Sequence, residues 1–304
     1  MRAIARFRAV ARLLGLTLLA TALLAGPATA ATPAATVSVD RTPRITDLGN
    51  LGGNEGSFAA AVNNRGEVVG NSSTTEEMTS NAFLWRNGVM RDLGTLGGSG
   101  STAKAINDRR EVVGFSSLGD SSLHAFLWRN GVMRDLGTLG GASSFAYAIN
   151  DRGEVVGNSS RTEGMTSNAF LWRNGVMHDL GTPSGTYGST ALDINKRGDI
   201  VGYTITSQSN RALLWHNGVM HDLGTLGGAF SWATGINEQG LIVGHSETAA
   251  GEWRGFALRR GVMTALPTLG ATCDVWGVND RGQVVGDSFA PSGMEGRFHA
   301  VLWS

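Results

Sequence analysis

The stretch AFLWRNGVMRDLGTLGG, Ala125 to Gly141, decides how this chain is read. It returns nearly intact from Ala82, Ala169 and Ala212, worn from Gly255 and cut short from Ala300. A second phrase follows, clearest as AINDRGEVVG from Ala148 to Gly157. Its Asn anchor falls at Asn63, Asn107, Asn150, Asn195, Asn237 and Asn279, in steps of 42 to 45 residues. Four strands are readable in each period. The first runs from Phe145 into Asn150, and Asn150-Asp151-Arg152-Gly153 has the chemistry of a tight turn. The second is Glu154 to Gly157, followed by a variable polar loop. The third, Ala169 to Trp172, is apolar without alternation, as expected of a strand covered on both faces. Asn174-Gly175 is a two-residue hairpin signal leading to a fourth strand, Val176 to Leu180. A period of about 44 residues with several short strands is the mark of propeller blades; helical repeats would need a sustained 3.6 period.

The two ends decide the closure. Arg44-Ile45-Thr46-Asp47-Leu48-Gly49 matches a fourth strand with no third before it, and His299 to Trp303 matches a third with no fourth after it. Each orphan would bare a row of backbone donors and acceptors, which proteins avoid. The expectation is therefore all-β: a six-bladed β-propeller over residues 44–304, built of four-stranded repeats and closed by the N-terminal strand completing the last blade. Connections in such blades alternate between faces. The NDRG-like and RNG-like turns share one face, expected to be basic. The DLGTLGG crossings and the variable loops share the other, expected to be acidic.

Residues 1–30 read as a signal peptide. Arg2, Arg6, Arg8 and Arg12 form a basic start, Leu13 to Ala25 an apolar core, and Ala28-Thr29-Ala30 a small-x-small cleavage site. The apolar core falls short of the roughly 20 residues of a membrane span, so no span is expected after cleavage. Residues 31–43 form a short lead-in. Without the four leader arginines, 21 basic side chains face 25 acidic ones, a net charge near −4. That argues against a nucleic-acid partner, which needs a basic surface. The single Cys273 cannot form an internal disulfide and is expected to be a small buried side chain.

The recurrent Trp85, Trp128, Trp172, Trp215 and Trp303 lie in the most apolar strand and are expected to pack between blades rather than form a sugar-stacking ladder. Aromatics outside the repeat pattern are the better ligand candidates. Phe58, Phe145, Tyr187 and Trp232 lie where a crossing enters an inner strand, and Trp276 a little further in. His245, Glu247 and Glu252 form a His–acid cluster around a variable loop, with Asp274 as a further acid that can converge on it. His178-Asp179 and His221-Asp222 occupy the slot of Arg91-Asp92 and read as surface residues beside a loop-capping Asp. The glycine-rich crossings lack the following helix of a phosphate cradle. Neither metal-binding spacings nor a GxSxG elbow occur, so no cofactor or metal is expected.

The phrase His124-Ala125-Phe126 followed by Leu-Trp, then NGVMxDLGTLGG and AINDRGEVVG, resembles the HAF-repeat family of extracellular bacterial proteins. The resemblance runs from Ile45 to Trp303. The naming histidine is intact at His124, partly matched at His299, and replaced by Asn81, Asn168, Arg211 and Arg254. The resemblance implies an extracellular repeat protein and names no reaction. The resulting expectation is a secreted (periplasmic, given an outer membrane), monomeric, non-catalytic binding scaffold. Its partner would be a glycan, a cell-envelope component or a protein. The alternative is a glycan-active hydrolase or lyase with its site on the long-loop face.

Overall fold

The computed structural model describes residues 45–75, 79–162, 166–206, 208–270, 272–290 and 296–304. The leader and lead-in expected over 1–43, and Arg44, lie outside these residues. Every regular element described is a strand. The first group is β1 (Gly52–Val62), β2 (Val68–Thr74), β3 (Ser80–Arg86) and β4 (Val89–Asp92). The second is β5 (Ser101–Ile106), β6 (Val112–Ser117), β7 (Leu123–Arg129) and β8 (Val132–Asp135). β9 (Gly140–Ile149), β10 (Val155–Arg161), β11 (Ser167–Arg173) and β12 (Val176–Asp179) follow. Then come β13 (Gly188–Ile194), β14 (Ile200–Ile205), β15 (Asn210–His216) and β16 (Val219–Asp222). β17 (Gly227–Ile236), β18 (Ile242–Thr248), β19 (Trp253–Arg259) and β20 (Val262–Ala265) make the fifth. The last has β21 (Cys273–Val278), β22 (Val284–Ala290) and β23 (Arg297–Trp303).

Within each group the pairing is antiparallel and in sequence order. The hairpin before β12 has Asn174 at φ 52° and Gly175 at φ 85°, the left-handed pair that matches strand twist. Inner strands β1, β9 and β17 begin inside the glycine-rich crossing, earlier than the sequence suggests. The ends of all the inner strands gather round one channel of about 200 Å³, which Val62, Ile106, Ile149, Ile194, Ile236 and Val278 line in turn. The arrangement is propeller-like.

The core lies between successive groups. Phe126 and Trp128 of β7 pack with Ala61, Val69 and Leu84 of the group before. Phe170 and Trp172 repeat this against Val113 and Leu127. Leu213 and Trp215 do so against Val156 and Leu171. Trp128 is 4% exposed and Trp215 3%, so these rings are interior packing.

The Asn anchors form a belt round the channel. Asn63 Oδ1 accepts from the backbone of Arg65 and Glu67, which holds the turn. Its Nδ2 donates to Asn107 O at 3.2 Å in the next group. Asn107 donates to Asn150 O at 3.0 Å, Asn150 to Asn195 O at 3.0 Å, Asn195 to Asn237 O at 3.3 Å and Asn237 to Asn279 O at 3.0 Å. Only an amide both closes the turn through its oxygen and reaches the next group through its nitrogen. Asn279 Nδ2 donates to Gln283 within its own turn, as Asn63 does to Glu67, but among the described residues no belt bond joins Asn279 to Asn63.

Over its described residues, Ile45–Gly49, the expected closing strand is not paired with any other strand. Ile45–Asn50 carries no strand and Ile45 is fully exposed. The open edge of β23 leaves Leu302 59% exposed, where its counterpart Leu84, covered by β4, is 5% exposed. The segment holds a local turn, Gly49 N donating to Asp47 Oδ1 at 2.9 Å. Local side-chain bonds of this kind form without the loop closure that a long-range strand pair requires.

Candidate functional site

One column of residues governs what lies between groups on the long-loop side. It follows a glycine in each middle strand and reads Asn71, Phe115, Asn158, Tyr203, His245 and Asp287. The glycine is required by contact. A Cβ at Gly244 would lie 2.0 Å from Trp232 O, and one at Gly286 1.9 Å from Asp274 O. A register shift follows in the inner strand, between Val275 and Gly277 in β21. Such a bulge re-aims the extra residue, here Trp276.

The column residue of one group meets the inner strand of the next. Phe115 and Phe145 stack edge-on at 5.1 Å, and Tyr203 and Trp232 lie 6.4 Å apart. In the last such junction the repetition changes chemistry. His245 Nδ1 lies 3.2 Å from Asp274 Oδ1, and Nε2 lies 3.1 Å from Val275 O. Both ring nitrogens thus face oxygen acceptors. Trp232 stands 6.2 Å from His245 and 5.0 Å from Trp253, while Phe230 adds a ring 6.0 Å from Trp253. Asp287 faces Asp274 across the β21–β22 register and accepts from Trp276 Nε1 at 2.8 Å.

The two acids are driven in opposite directions. The hydrogen bond from His245 holds the Asp274 carboxyl below the usual range, against the opposing effect of burial. Burial pushes the Asp287 carboxyl up, opposed by the Trp276 N–H and reinforced by the charge of Asp274. The result is a partly buried aromatic cluster beside one firmly ionised and one more readily protonated carboxyl. Such a surface can stack on the apolar face of a ring and hydrogen-bond its substituents.

Of the residues singled out from sequence, Trp232, His245, Asp274 and Trp276 come together here. Glu247 is engaged elsewhere, its Oε2 accepting from Ala229 N at 2.8 Å, and Glu252 pairs with Arg254 at 2.9 Å. Phe145 packs against Phe115 in a different junction. Phe58 and Tyr187 are each 58% exposed and stand outside the cluster. Sequence reasoning missed Tyr203, Trp253 and Asp287, although Tyr203 and Asp287 share the repeat column of His245. Asp179 and Asp222 cap their crossings, each accepting from the glycine two residues on. Among the described residues no three His, Cys, Asp or Glu side chains gather as a metal site.

The chain matches no family model. It matches no curated protein by sequence. Among solved structures it is similar to a puromycin hydrolase, at 12% identity and TM-score 0.54, over 81% of this chain and 43% of that one. A puromycin-hydrolyzing peptidase of Mycobacterium tuberculosis is similar at 12% identity and TM-score 0.54, over 82% of this chain and 42% of that one. The β-propeller domain of the trilobed protease from Pyrococcus furiosus aligns at 11% identity and TM-score 0.48, over 71% of this chain and 69% of that one. This chain spans less than half the length of the two hydrolases, and at such identity the likeness is one of fold alone.

Proposed function

We propose that this chain is an exported, non-catalytic binding scaffold of the HAF-repeat kind, acting at or outside the cell surface on a glycan or other cell-envelope component. The observation that carries the reading is the Trp232–His245–Asp274 cluster, where the aromatic repetition gives way to an acid–imidazole pair. A stacking surface flanked by hydrogen-bonding groups suits a sugar ring. Among the described residues no helix is long and apolar enough to cross a membrane.

The same proposal takes the fold as six blades in a closed ring, with Ile45–Gly49 as the outermost strand beside β23. The contacts at the start of the chain support it. Gly49 N bonds Asp47 Oδ1, Leu51 N bonds Ser72 Oγ, and Ser57 Oγ bonds Gly49 O. The same three contacts follow β4, as Gly94 to Asp92, Leu96 to Ser116 and Ser101 to Gly94. Crossing geometry is thus already formed at Asp47, as if a strand led into it. By analogy with Leu84 opposite Arg91, Leu302 would face Thr46, and His299 would meet Asp47 as His124 meets Asp135. A Thr46→Cys, Leu302→Cys pair in a Cys273→Ser background tests this; rapid oxidation to a monomeric disulfide is expected, and failure to oxidise sinks the closure.

A glycan array and an envelope extract test the binding reading, with Trp253→Ala and His245→Ala as variants. Binding that both variants abolish is expected; binding that neither alters rules out this site. The opposed acidities of Asp274 and Asp287 favour one second reading, a glycan-cleaving site. It requires turnover of a bound glycan that Asp287→Asn stops.

A further inference from the structure

On the opposite face, between the first and second groups, Arg86, Arg91, Arg109 and Arg110 line a groove of about 390 Å³ with Trp128 as an apolar wall. Two buried carboxylates serve these arginines. Glu67 takes Arg110 Nε at 2.6 Å and Arg86 Nε at 4.0 Å, and Glu111 takes Arg109 at 2.7 Å. Arg91 lies over the Trp128 ring at 5.7 Å. Four guanidiniums against two carboxylates leave the groove with an excess of two positive charges.

Arg110 departs from the repeat. The other turns have glycine at this position, Gly66, Gly153, Gly198, Gly240 and Gly282, all at positive φ. Arg110 holds φ 66° with a full side chain, a conformation that costs a non-glycine residue free energy. The next groove round has Arg129, Arg134 and Arg152 with Gly153, and the one after has Arg173, His178 and Arg197 with Gly198. The groove that carries the strained arginine therefore holds more guanidinium groups than either of the next two.

We propose that this groove binds a sulfate or phosphate ester borne on a glycan chain. Guanidinium forks match the oxygens of a tetrahedral oxyanion, and the concave wall admits one such group with the sugar that carries it. The site is separate from the aromatic cluster and does not depend on it.

The test measures binding of the protein to inorganic sulfate, inorganic phosphate, a sulfated heparin octasaccharide and phosphatidylglycerol vesicles at low and high salt. Arg110→Gly introduces the residue that the other turns use, so it is expected to fold, and Arg91→Gln is the second variant. The octasaccharide should bind with strong salt dependence and be displaced by free sulfate or phosphate. Each variant should weaken it by about tenfold, while Arg161→Gln on the long-loop face leaves it unchanged. Equal binding by wild type and Arg110→Gly, or capture by vesicles without the octasaccharide, overturns the assignment.

Discussion

Asp274 and Asp287 stand opposite each other in the β21–β22 register, and the structure drives their acidities apart. The difference lies in their neighbours. His245 supplies Asp274 with a hydrogen bond that outweighs its burial, whereas for Asp287 burial outweighs the hydrogen bond from Trp276. The asymmetry is a finding about stability as well as about the site.

For Asp274 the folded acidity lies below the ordinary 3.8, so its stabilising contribution is present above that value and lost as pH falls through the lowered one. For Asp287 the folded value is raised above 3.8, so its contribution is complete below 3.8 and lost as pH rises through the raised one. Thermal unfolding over this acid range should show Asp274→Asn losing most at neutral pH. Asp287→Asn should gain most there, because its amide oxygen still accepts from Trp276. Parallel curves for the two variants would contradict the assignment.

Gly244→Ala should disturb the site from within the sheet. Its Cβ would meet Trp232 O at 2.0 Å, which forces β17 and β18 apart beside His245. A loss of about 1–3 kcal/mol in denaturant unfolding is expected, as for other overpacked sites. The Trp232 fluorescence environment should change with it.

Phe126→Ala removes a ring with 0% exposure from the first inter-group core and should cost about 3–5 kcal/mol. Val132→Thr, at a side chain 65% exposed on the neighbouring edge strand, should stay within about 0.5 kcal/mol. Urea titration of the two proteins checks the contrast.

Cys273 does a serine's work. Its Sγ accepts from Gly255 N at 3.1 Å, where Ser101, Ser144, Ser189 and Ser231 accept the same bond in other junctions. Cys273→Ser should change stability by less than about 1 kcal/mol. Burial pushes the thiol up, so a thiol reagent should modify it only after unfolding.

Strand order and the tight turns were legible because they are local: Asn150, Gly153, Asn174 and Gly175 each answer to their own backbone. The tryptophan column was legible for a related reason, since a large ring in a strand covered on both faces has nowhere to go but the interior. The candidate site was half legible. His245 and Asp274 lie 29 positions apart in sequence, and only the register of one group against the next brings them together. Asp287 and Tyr203 carried a usable signal in the column after the middle-strand glycine. Trp253 had none, because it follows a variable loop. The expected closing strand had a matching sequence, but pattern cannot report whether two distant segments meet.

The asparagine belt has a mechanical corollary. Tension that tries to splay the molecule is carried from one amide to the next, and among the described residues no such bond joins Asn279 to Asn63. A pulling experiment should therefore tear the assembly at that seam first, stripping the final three-stranded sheet away while the rest still bears load.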